Sequence, residues 1–149
     1  MNLFELFQVS GSALAAERLR AEVATSNLAN SETTRTAEGG PYRRQMVVFN
    51  SRPASQFRLL LAGSLGGEGG LQAAGGVQVS QVVDDPTPPQ RRYEPGHPDA
   101  DASGYVDYPA ISPVQEMVDL MGAERAYELN ASAVQAAKQM IQQSLQILK

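Results

Sequence analysis

Residues 93 to 109 read YEPGHPDADASGYVDYP and hold the chain's single histidine, His97, two residues before Asp99 and four before Asp101. An imidazole beside carboxylates is common material for general acid–base and metal chemistry, so Glu94, His97, Asp99 and Asp101 are the groups a hydrolase would use here. A calcium loop is the second chemistry to test. Asp99, Asp101, Ser103, Gly104 and Asp107 fall on positions 1, 3, 5, 6 and 9 of that template. The match breaks at position 12, where Ala110 stands in place of a bidentate glutamate, and Pro95 and Pro98 exclude an entering helix. The third reading is backbone geometry. Pro95-Gly96 fits the centre of a type II turn, with Gly96 supplying the positive φ. His97 precedes Pro98 and is pushed towards an extended conformation, and a short strand is expected at Tyr105 to Tyr108. The carboxylates sit in a proline-bound turn with no second acid in an apolar pocket, so nothing is set to raise one pKa for catalysis. The weight falls on a rigid turn, with no catalytic residue, no metal and no cofactor expected.

A second candidate for chemistry is AGSLGGEGGLQAAGG, residues 62 to 76, with seven glycines in fifteen residues. No Lys-Ser/Thr follows it, no helix opens after it and the dinucleotide spacing is absent, so it reads as a turn-rich insert and not as a phosphate cradle.

Composition narrows the field further. The chain has 149 residues, enough for one ordinary domain, and a formal charge of −4, which points to no nucleic acid or anionic membrane. With no cysteine it has no disulfide, thiolate nucleophile or cysteine-ligated metal. Its first twenty residues carry Glu5 and neither a basic region nor a long apolar run, so no cleavable signal peptide is expected. No run of about 18 apolar residues exists to span a membrane. No small-molecule substrate is expected either.

The elements are marked by where the helix breakers fall. All nine prolines lie between Pro41 and Pro113, and eleven of thirteen glycines between Gly39 and Gly104, leaving two long terminal stretches almost free of both. These spacings predict an α+β chain: long N- and C-terminal helices paired as a coiled-coil-like hairpin, with a small β-rich middle. The divisions are residues 1–32, residues 33–112 including the glycine-rich insert, and residues 113–149. The last helix starts with Ser112 as N-cap, Pro113 at the first position and Glu116 placed to complete a capping box. Val9, Ala13, Ala16, Leu19 and Val23 step along the first helix by three or four, with Leu14 and Leu28 widening the stripe. Strands are expected at Tyr42 to Phe49, Phe57 to Ala62 and Val77 to Val83.

A physical mismatch follows. The last helix, about 55 Å long at ~1.5 Å per residue, carries an apolar face almost to its end, and a small middle domain cannot cover that length. Each fully buried Leu, Ile or Met contributes about 1.5–3 kcal/mol, so four or five left in water would forfeit a sum comparable to a domain's stability. Neighbouring chains must cover the strip. The expected subunit-interface residues are Leu14, Leu19, Val23, Asn27, Asn30, Met117, Met121, Leu129, Met140 and Ile147. Asn27 and Asn30 read either as helix-end residues or as amides that set register between subunits.

Two stretches resemble a known family. SALAAERLRAEVATSNLANSETT, Ser12 to Thr34, is similar to the N-terminal signature of the flagellar axial proteins, with its Asn-Leu-Ala-Asn motif at Asn27 to Asn30. Tyr93 to Asn130 resembles the more specific pattern of the proximal-rod members, through Pro95, His97, Pro98, Ala100, Asp101, Gly104, Tyr105, Val106, Pro109, Glu116, Met117 and Val118. Ala110 departs from it, since the family usually has asparagine there. The resemblance implies a non-enzymatic subunit exported unfolded, without a cleavable signal, through the flagellar type III export apparatus. It would polymerise in the periplasm with other rod proteins and copies of itself, as the torque-transmitting, channel-bearing drive shaft of the basal body. Gln135, Gln139, Gln142, Gln143 and Gln146, which read as falling on more than one face, would then include residues that line a neutral lumen. A distal-rod or hook subunit is the nearer alternative, although those carry larger middle domains. A cell-wall hydrolase using Glu94, His97, Asp99 and Asp101 is the alternative from a different class.

Overall fold

The computed structural model of the chain describes residues 3–52 and 75–147. Helix α1 spans Leu3–Ala29 and helix α2 spans Pro113–Ile147. Between them lie strands β1 (Gln45–Ser51), β2 (Val77–Asp84), β3 (Gln90–Tyr93) and β4 (Tyr105–Tyr108). β1 and β2 form one antiparallel ribbon and β3 and β4 another. The α+β plan is therefore as expected. The expected strand at Phe57 to Ala62 and most of the glycine-rich insert lie outside the described residues.

The two helices run antiparallel and share the most extensive packing in the described chain. Asn27 near the end of α1 meets Glu116 at the start of α2, and Arg20 meets Asp119 further back. Their seam is built of small side chains: Ser10, Ala16 and Ala24 from α1, Ala123 and Ala137 from α2, none more than 6% exposed. Small residues bring the backbones close, so the hairpin is tight but buries few large side chains. α2 exceeds α1 by eight residues (35 less 27), so about 12 Å of it extends beyond anything α1 can cover.

The β1–β2 ribbon lies on α1. β1 begins at Gln45, three residues later than expected, because the Tyr42 amide bonds to the Thr33 carbonyl and the Arg44 side chain turns towards α2. Ser80 is the extra residue of a bulge opposite the Val48–Phe49 step. The start of β2 is seated against α1. The Val77 amide donates to Ser12 Oγ at 3.1 Å, and Ser12 Oγ donates to the Val9 carbonyl at 2.7 Å. Gly76 sits at φ +81°, and a Cβ there would lie 2.3 Å from Ser12 Oγ. Gly76→Ala should therefore lower stability by about 1–3 kcal/mol, measured by thermal unfolding, through left-handed strain and the displaced Ser12 together. A melting point equal to that of the parent would show that the ribbon does not seat on α1 at this point.

The β3–β4 ribbon buries alternate residues, Val106 and Tyr108, and Ile111 continues that buried side towards α2. β3, with sequence QRRY, is exposed throughout and has no apolar alternation to announce it. Pairing with β4 and two cation–π contacts hold it, Arg91 over Tyr105 at 5.0 Å and Arg92 over Tyr108 at 4.6 Å.

Candidate assembly surface and the polar knot beneath it

The Asp99 amide donates to His97 Nδ1 at 3.1 Å, and the imidazole packs edge-on to Tyr108 at 6.2 Å between ring centres. Asp99 accepts from the Thr34 hydroxyl at 2.8 Å and faces Arg35. Asp101 Oδ1 accepts the amides of Ser103 and Tyr105, and Arg91 lies against its other oxygen. The Tyr105 amide is the main reason the Asp101 carboxyl is held below its ordinary value, with Ser103 and Arg91 adding to it against some burial. Glu94 accepts from the Tyr108 hydroxyl at 2.8 Å, and that bond holds the phenol above its ordinary pKa of 10.0. The working groups of a hydrolase are thus spent on holding a turn together. Among the described residues no group of three or more His, Asp or Glu side chains is placed together to hold a metal ion.

The turn differs in detail from the expected one. The His97 amide bonds to the Glu94 carbonyl across Pro95-Gly96, but Gly96 does not take a positive φ, so the turn is not type II. The left-handed residue is Gly104 at φ +80°, where a Cβ would come within 2.9 Å of the Tyr93 ring. Tyr93 and Pro95 crowd Gly104, and that close approach explains the glycine.

Glu116 is the larger correction. It does not close a capping box; its backbone amide makes the first helical bond to Ser112, while its carboxylate is 2% exposed and points back across the fold. Arg44 Nε donates to Oε1 at 2.6 Å and Asn27 Nδ2 donates to Oε2 at 3.0 Å. Arg44 also approaches Asp85 and Asp119, and Asp119 accepts from Arg20. Asn27 is 1% exposed and spends its whole amide inside the chain: Nδ2 on Glu116 and the Gln45 carbonyl, Oδ1 on the Gln45 amide and the Tyr42 hydroxyl. In the single chain both ends of the Asn27 amide are thus committed to intrachain partners. The knot ties the end of α1, the start of β1 and the start of α2 at one point. Asn30 is local, donating to the Ser26 carbonyl and accepting from Thr33.

The other expected interface residues fall into two groups. Leu14, Leu19 and Val23 are half-buried on α1. Met117, Met121, Leu129 and Met140 are 54%, 51%, 73% and 50% exposed on α2, joined by Val114, Val118, Tyr127 and Leu145. The Ile147 side chain lies outside the described residues. Among the described residues, eight of the twelve exposed large apolar side chains thus belong to one helix, most of them turned away from α1. The five glutamines also sit exposed on α2, and at ~100° per residue they share one arc of about 100° and do not fall on more than one face as first read. No helix among the described residues is long and apolar enough to cross a membrane, so this apolar face is not a span.

Comparison with known proteins agrees with that geometry. Residues 7–35, nearly all of α1, match the family model described as flagella basal body rod protein. Residues 102–147, from the turn to the end of α2, match the model of the flagellar basal body rod FlgEFG protein C-terminal region. The chain is 42% identical to the flagellar basal-body rod protein FlgC of Bacillus subtilis, with all of both chains covered. It is 37% identical to FlgC of Borreliella burgdorferi, covering all of this chain and 99% of the relative. With FlgC of Salmonella typhimurium it shares 39% identity over 97% of each. The chain therefore belongs to the FlgC family of flagellar basal-body rod proteins.

Proposed function

We propose that this chain is a structural subunit of the flagellar rod, polymerising through its terminal helices. The observation that carries this reading is the row of exposed apolar side chains on α2, which a single copy leaves in water. Packing against other rod proteins and further copies covers that row, and many such close-fitted helices resist torsion because none can slide without unpacking its neighbours. The reading includes passage through the flagellar export apparatus in unfolded form, placement of the rod in the periplasm and the absence of catalysis. A small core with no disulfide suits such a chain, since nothing covalent has to be undone before threading. Deleting the gene should leave basal bodies without a complete rod, and restoring it should return rod and swimming together. Normal rods in the deletion strain would contradict the proposal.

The exposed glutamine arc fits the wall of the export channel, because neutral amides offer a passing chain neither charge nor apolar surface to hold. Gln139→Leu with Gln142→Leu should slow secretion of later flagellar subunits. Secretion at the parental rate would take those residues out of the channel wall.

A further inference from the structure

One charge interrupts the outer apolar row of α2. At ~100° per residue, Val114, Val118, Met121, Arg125 and Leu129 share an arc of about 80° on the side away from α1. Among the described residues Arg125 is exposed and makes no ion pair or hydrogen bond through its side chain. Cover this row with a partner, as the rod-subunit reading requires, and the guanidinium goes under too; a buried charge without a counterion is costly. The partner must therefore bring acid to meet it.

The same chain carries such a place along the adjoining flank of α2. Between α1 and α2 runs an open groove of about 670 Å³, with Ala21 and Ala123 as its floor and Tyr127 as an aromatic wall. Glu17, Glu124 and Glu128 line it against one cation, Arg18, which is already paired with Glu22 at 2.9 Å. Glu124 and Glu128 have no ion pair among the described residues, and Glu17 Oε2 is buried without a hydrogen bond, its nearest cation Arg20 standing 3.7 Å away. A net acidic trough with an aliphatic floor and an aromatic side is shaped for a guanidinium on an aliphatic stem.

We propose that Arg125 of one copy seats in the α1–α2 groove of a second copy. This rests on the rod-subunit reading and names the contact that reading lacks. The flanking residues Val118, Met121 and Leu129 then close over the groove's rim, and Arg125 bridges Glu124 and Glu128 while stacking on Tyr127. Because the row and the groove are different surfaces of one chain, the contact is heterologous, the kind that propagates around a ring or along a helix and does not stop at a pair.

The chain has no cysteine, which makes the test clean. A tagged Arg125→Cys chain and an untagged Glu128→Cys chain are co-expressed in cells lacking the native gene, and isolated basal bodies are mildly oxidised. A disulfide-linked dimer of the two chains, absent when either is expressed alone, is the expected result. Basal bodies holding both chains in parental amount but yielding no mixed dimer would overturn the proposal while leaving the rod reading intact. Basal bodies lacking the chain even in the parent strain would instead overturn the rod reading. In parallel, Arg125→Glu and the pair Glu124→Lys with Glu128→Lys should each abolish swimming, and the chain carrying all three exchanges should regain it. All three side chains are exposed, so each variant should keep the parental melting point. Undiminished swimming with Arg125→Glu would also overturn the contact.

Discussion

Glu116→Ala should lower the stability of the isolated chain by about 3 kcal/mol, near the lower end for breaking a buried ion pair because Arg44 remains 24% exposed in its side chain. For a chain of this length that is a fall of roughly 6–12 °C in Tm, read by thermal unfolding. The cost arises because Arg44 loses its 2.6 Å partner beside Asp119 and Asp85, and one Asn27 N–H loses its acceptor. Glu116→Gln should recover only part of the loss. Its carbonyl can still accept from Asn27, but its NH₂ group would face the Arg44 donor. If the knot is one unit, Arg44→Ala together with Glu116→Ala should cost less than the sum of the two single changes. Strict additivity would show that the two side chains stabilise the fold independently.

Leu129→Asp should have the opposite profile. Leu129 is 73% exposed in the single chain, so the substitution should change its melting point by no more than about 0.5 kcal/mol equivalent. In the assembled rod the same carboxylate would be taken out of water among Val118 and Met121 and would draw Arg125 away from its own partner, at a cost of several kcal/mol per copy. Every copy repeats the defect. Swimming and complete rods should be lost in the variant, whereas Leu129→Met should retain both. A motile Leu129→Asp strain would mean that this part of α2 stays in water after assembly.

These two residues also show how far the sequence could be read. Both helices were legible because all but two glycines and nearly every proline lie in the middle, and β2 was legible from valines alternating with polar residues. The apolar row on α2 followed from helical spacing. Long-range pairing was not legible. Ser112 with Glu116 carries the look of a cap, but a guanidinium 72 residues away in sequence takes the carboxylate instead. Asn27 looked equally suited to a helix end or a subunit contact, and the arrival of the Gln45 backbone beside it could not be read from local sequence. β3 escaped notice because arginines over tyrosine rings do for it what apolar alternation does elsewhere. The turn was right in place and wrong in type, because the position needing a positive φ is set by the Tyr93 ring closing on Gly104, which local sequence does not reveal.

The account rests on α2 being uncovered in one copy and covered among many. Methionine footprinting with dilute hydrogen peroxide reads this directly, because Met117, Met121 and Met140 are each about half exposed in the single chain and stand along the row in question. Sulfoxide should form readily at all three in the purified, monomeric protein and slowly at the same positions in intact basal bodies. Equal rates in the two samples, or three methionines already shielded in the dilute monomer, would contradict the claim that other chains complete the burial.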